Sequence, residues 1–129
     1  KQLWHNYLNQ YRTIVGTVST ADERIYLTKT GYTSVVLYAQ VANTGTGIGT
    51  VSFFHQRETR LTNGGISTET TELIQDIKVP PNDALVLLDG RLILEKTALR
   101  ADSLRLVGVS STNPNSLKYT VSILETLNQ

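Results

Sequence analysis

Cysteine and methionine are both absent from the 129 residues, which removes disulfides, thiolate metal sites and a cysteine nucleophile together. Stability has to come from packing. Concentrated charge is missing too: 12 Lys and Arg stand against 11 Asp and Glu, and Arg57, Arg60, Lys78, Arg91, Lys96, Arg100, Arg105 and Lys118 are scattered among acids. A duplex-DNA binder gathers its cations on one face, because neutralising phosphates drives its affinity. Nucleic acid is therefore not an expected partner. No apolar run approaches the ~20 residues of a membrane helix, and no charged-then-apolar leader opens the chain, so no membrane partner is expected either. The chain opens at Lys1 rather than at Met, which leaves room for a preceding piece.

Catalytic chemistry is equally thin. The two histidines, His5 and His55, lie fifty residues apart without the spacing of a metal-binding pair, and no Gly-x-Ser-x-Gly elbow surrounds any serine. His55 reads as a strand-end residue with a satisfied hydrogen bond, and His5 as a surface or interface residue. Gly45, Gly47 and Gly49 alternate outside any phosphate-loop context and read as flexible spacers. Asp76, Asp83, Asp89, Glu95 and Asp102 leave a carboxylate pair as the one route to an enzyme. Turn formation accounts for Asp83, Asp89 and Asp102, and a polar strand boundary for Glu95. No catalytic residue, metal ligand or cofactor is expected.

What is present is alternation of period two, at 40% hydrophobic and 18% charged residues, a composition that folds into one globular domain. SVVLYAQVA puts Val35, Leu37, Ala39 and Val41 on one face. GTVSFFHQ puts Val51, Phe53 and His55 on one side and Phe54 on the other, and the Asn43–Gly49 loop between these segments suggests a hairpin. LKYTVSI sets Leu117, Tyr119, Val121 and Ile123 against Lys118, Thr120 and Ser122. TIVGTV, RIYLTK, TELIQDIKV, ALVLL, RLILE and DSLRLVGV complete the set. Pro80-Pro81-Asn82-Asp83 must end the strand before it, Asp89-Gly90 is the dipeptide that type I′ hairpin turns prefer, and Asn63-Gly64-Gly65 and Asn113-Pro114-Asn115-Ser116 supply further reversals. The spacing predicts an all-β fold, an antiparallel β-sandwich of about eight strands with jelly-roll or immunoglobulin-like connectivity. Its expected core holds Leu37, Phe53, Leu85, Leu87, Leu106, Tyr119, Val121 and Ile123.

Residues 1–12, KQLWHNYLNQYR, stand apart from this pattern as an N-terminal aromatic arm or short helix, with the single sandwich domain over 13–129. Trp4, Leu8 and Tyr11 recur at helical spacing with Leu3 and Tyr7 alongside. Such a segment either packs on its own sandwich or docks on a neighbour, since Trp and Tyr are favoured interface anchors. Trp4, Tyr7, Leu8 and Tyr11 are the candidate interface residues.

The run from Ile77 to Glu95, IKVPPNDALVLLDGRLILE, followed by ADSLRLVGV from Ala101 to Val109, resembles small β-sandwich virion proteins of tailed bacteriophages, cyanobacterial phages included. In that group a Pro/Asn turn leads into an LVLLDG hairpin and then a DSL strand start. The resemblance covers about the last two-thirds of the chain. It implies a non-enzymatic structural component such as a capsid decoration, neck, tail or fibre-base protein, made in the bacterial host cytoplasm. Its partners would be copies of itself and other virion proteins. A second reading is a carbohydrate- or receptor-binding sandwich, with Tyr26, Tyr32 and Trp4 to stack on sugar rings and the Asn43–Gly49 loop as a rim.

Overall fold

The computed structural model describes residues 9–111 and 115–127. Eight strands run in the order β1 (Asn9–Thr17), β2 (Glu23–Leu27), β3 (Tyr32–Asn43), β4 (Gly49–Arg60), β5 (Ile66–Val79), β6 (Asp83–Glu95), β7 (Arg100–Ser110) and β8 (Leu117–Leu127). They form two four-stranded antiparallel sheets, β1-β8-β3-β6 and β2-β7-β4-β5. The pairing is nested: β4 with β5, β3 with β6, β2 with β7 and β1 with β8. This is one long hairpin, with the β4–β5 turn at its tip, rolled over on itself and sealed by the β3–β8 and β4–β7 pairs. The architecture is the jelly roll, one of the two connectivities the sequence allowed.

Alternation explains the core. Phe53, Leu104, Leu106, Leu117, Val121 and Ile123 are fully buried between the sheets, each side chain stabilising the fold by ~1.5–3 kcal/mol relative to exposure. Of the expected core, Leu87 is buried as well, and Leu85 and Tyr119 are partly buried against it. Leu37 departs from expectation. It is an extra residue relative to β8, whose Ile123 and Ser122 pair with Val36 and Tyr38, and this bulge shifts the phase of β3. Ser34 and Val36 point inward before it, Ala39 and Val41 after it. Val35 therefore faces out, and Leu37 is only half-buried.

The turns divide sharply. Asn63-Gly64-Gly65 closes the β4–β5 hairpin as expected, with Leu61 N–H bonded to Gly65 O and Gly64 at φ 89°. Pro80-Pro81-Asn82 ends β5 as expected, with Asn82 at φ 58° and the Asp83 carboxylate accepting from Ala84 N–H. The chain passes there from one sheet to the other, as it also does between β3 and β4, so the hairpin expected across Asn43–Gly49 does not form.

Asp89-Gly90 is no turn at all. β6 runs straight through it, paired with β3 on both sides: Tyr38 faces Asp89 and Val36 faces Leu92, leaving Gly90 and Arg91 opposite Leu37 alone. Gly90 takes φ 148° in this bulge, where a glycine is the residue that fits without strain. The LVLLDG segment on which the phage resemblance leaned is thus the middle of one strand. Gly90→Val should cost about 1–3 kcal/mol through backbone strain. Asp89→Val, at an exposed position mid-strand, should stay within ~0.5 kcal/mol of the parent. Melting temperatures separate this geometry from a type I′ turn, in which both substitutions would be costly.

Candidate functional site

Two acids lie inside the sandwich. Asp102, expected to form a turn, instead points inward from within β7 beside Leu104, and its side chain is fully buried. Arg57, its cross-strand partner on β4, clasps it with Nε at 2.7 Å and Nη2 at 2.9 Å, and the Glu95 N–H from the opposite sheet adds a bond of 2.9 Å. Burial pushes this carboxyl up, but the Arg57 hydrogen bonds, the Glu95 N–H and the charges of Arg57 and His55 outweigh it and hold Asp102 below the usual carboxylate range. His55 is mid-strand rather than at a strand end, its Nε2 buried at 3.6 Å from the nearer Asp102 oxygen and without a hydrogen bond.

Glu125 is the second acid, on β8 one alternation step beyond Ile123. The Tyr26 hydroxyl donates to it at 2.6 Å from the opposite sheet, Lys29 Nζ approaches to 3.2 Å and Arg12 to 3.5 Å. With its proton committed to Glu125, the Tyr26 oxygen accepts from Ser34 at 2.7 Å. Burial raises the Glu125 carboxyl, and the Tyr26 and Lys29 bonds with the charges of Lys29 and Arg12 bring it below its ordinary value. The Tyr26 phenol, desolvated and beside this carboxylate, titrates far above its usual range. Each acid ties one sheet to the other. Both are buried, Asp102 with both oxygens hydrogen-bonded and Glu125 with Oε2 bonded to Tyr26 and Oε1 facing the Lys29 ammonium, an arrangement that orders an interior.

The sugar-stacking residues fare poorly as a group. Tyr26 is buried in the Glu125 cluster, Tyr32 is half-buried under the Lys29 ammonium at 5.4 Å from its ring centre, and Trp4 lies outside the described residues. The Asn43–Gly49 segment is not a loose rim either. The buried Asn43 amide donates to Gly47 O and Val79 O, while its oxygen accepts from Gly45 N–H. Gly49 is set by close packing, since a Cβ there would meet the Leu117 side chain at 2.6 Å.

Of the candidate interface residues, Trp4, Tyr7 and Leu8 lie outside the described residues. Tyr11 is in β1, paired with Leu124, and is 77% exposed. The pairing continues Leu124 to Val35 and Val35 to Ile93, itself 56% exposed. Tyr11, Leu124, Val35 and Ile93 therefore make one apolar row across the outer face of the first sheet. With strands ~4.8 Å apart, the row is ~14 Å long. A second row pairs Val15 with Thr120, Thr120 with Gln40 and Gln40 with Val86, and puts exposed valines on both edge strands. Periodicity assigned the inward faces correctly on β8, and the β3 bulge hid this outer row by placing Val35 with the core.

No protein-family description matches this chain, and no curated sequence does. In fold it is similar to the protein solved in the T13 viral particle of infectious bursal disease virus, with TM-score 0.50 and 9% identity over 94% of this chain. It spans only 31% of that protein's length. Weaker likenesses are to Bacillus endospore appendages, with TM-score 0.44 and 13% identity over 94% of this chain and 88% of that one, and to the CBM22-1 xylan-binding domain of Paenibacillus barcinonensis Xyn10C, with TM-score 0.39 and 13% identity over 91% and 72%. The chain shares the β-sandwich fold of a viral-particle protein.

Proposed function

We propose that the chain is a non-enzymatic structural subunit of a virus particle, specifically a virion component of a tailed bacteriophage made in the host cytoplasm, held in place by contacts with its own copies and with other virion proteins. The observation that carries this reading is the outward apolar row Tyr11-Leu124-Val35-Ile93 on a jelly roll whose two interior acids, Asp102 and Glu125, tie its sheets together. An exposed contiguous apolar surface rimmed by polar residues marks an interaction site. In the sequence, residues 1–8 immediately precede β1 and carry Trp4, Tyr7 and Leu8, which join Tyr11 in the proposed interface.

The test separates folding from assembly. Because Asn9–Arg12 pair with β8, the deletion should remove residues 1–8 only and keep β1 intact. That truncation and the double variant Tyr11→Ser/Ile93→Ser should each melt within a few degrees of the parent and fail to enter particles or to form the parent's oligomer. Full incorporation of both variants would sink the proposal. A collapsed melting temperature for the truncation would assign the arm to its own core, leaving the surface variant to decide the row.

A further inference from the structure

A pocket of about 230 Å³ lies between the end of β4 and the loop joining β6 to β7. Arg60, Lys96 and Arg100 line it together with Glu58. Arg100 is paired with Glu95 at 3.4 Å, whereas the Arg60 guanidinium and the half-buried Lys96 have no ionic partner among the described residues. An anion in this pocket would meet two cations able to donate charge-assisted hydrogen bonds to it. The walls are pre-formed. Arg60 N–H bonds Leu99 O at 2.7 Å, Thr97 N–H bonds Arg100 O at 2.8 Å, and the Thr97 hydroxyl oxygen accepts from the N–H groups of Leu99 and Arg100. A ligand would meet this loop already ordered, with little conformational entropy left to lose.

The apolar part of the pocket selects the class of anion. Ile66 and Leu99 flank the cations, 63% and 62% exposed. No aromatic ring lines the pocket, so a sugar would lack the flat face on which its ring stacks, whereas aliphatic walls suit an aliphatic side chain. We propose that this pocket binds an acidic peptide segment of a partner protein, its carboxylate against Arg60 and Lys96 and the adjoining aliphatic side chain between Ile66 and Leu99.

The site shares no residue with the Tyr11 row and can be tested on the purified chain whatever the outcome for assembly. The probe is the blocked dipeptide acetyl-Glu-Leu-amide, titrated against the isotope-labelled full chain and followed by backbone amide shifts. Saturable shifts should centre on residues 96–101 and Arg60, weaken as salt is raised, and require roughly tenfold more of the acetyl-Gln-Leu-amide analogue. Arg60→Gln/Lys96→Gln should abolish the shifts with the melting temperature unchanged, because neither side chain has a hydrogen-bond or ionic partner among the described residues. Equal binding of the glutamine peptide, or undiminished binding by the double variant, would overturn the proposal. Glucuronate binding more tightly than the dipeptide would overturn it as well and give the pocket to acidic sugars.

Discussion

Asp102→Ala should lower the stability of the fold by about 3–5 kcal/mol, the range for removing one partner of a buried ion pair, and the melting temperature by roughly 10 °C or more. The loss has three parts: Arg57 keeps a largely covered guanidinium without its anion, the Glu95 N–H loses its acceptor, and a cavity opens beside Leu104. The pH dependence carries a definite sign. Asp102 and Glu125 both titrate below their ordinary values in the folded chain, so the stability they confer is fully present above the usual carboxylate range. It is lost as pH falls through their folded values, because the unfolded state then binds more protons. Thermal melts from neutral pH downward should show the parent weakening in acid, and Asp102→Ala should show a shallower decline from a lower start. A variant as stable as the parent at neutral pH would mean that the Arg57 clasp contributes nothing net.

Val121→Asp should leave little soluble folded protein. Val121 is 1% exposed at the centre of β8, paired with Ile14 of β1 on one side and Ala39 of β3 on the other, and no cation is paired with it there. An ionised carboxylate at that position meets a desolvation penalty that native stabilities of about 5–15 kcal/mol cannot absorb. Val121→Ala, which leaves only a cavity, should fold with reduced stability. Soluble yield and circular dichroism of the two variants distinguish a misassigned inward face, where Asp would be tolerated, from a fold that fails for lack of volume.

Legibility in the sequence followed how local the determining physics was. The β4–β5 turn and the Pro80-Pro81-Asn82 stop depend on the φ preferences of their own residues, and both stand where those preferences place them. Asp89-Gly90 has the same kind of local preference but meets it in a bulge, because the pairing of β6 with β3 on both flanks outweighs what two residues can specify. The Leu37 bulge has no local signature, so alternation read across it put Val35 and Leu37 on the wrong side. The buried acids were within reach. Counting by twos from Val121 and Ile123 arrives at Glu125, and from Leu106 and Leu104 at Asp102. Their partners, Tyr26 and Arg57, lie on other strands, so nothing in the sequence announces that the charges are compensated. The outward apolar row needs four strands in register before it exists at all.

The nesting of the strands also orders events in time. Only the β4–β5 connection joins two neighbours within a sheet among the described strands, so the tip of the rolled hairpin closes the shortest loop, and each later pair must close a longer one. β1 finds its partner in β8, about a hundred residues later in the sequence, and during synthesis it waits for that strand to be made. A chain of this topology folds on the slow side for its size. Through that interval β1 presents an unpaired edge together with the exposed Tyr11 and Val15, open to the edge of another chain.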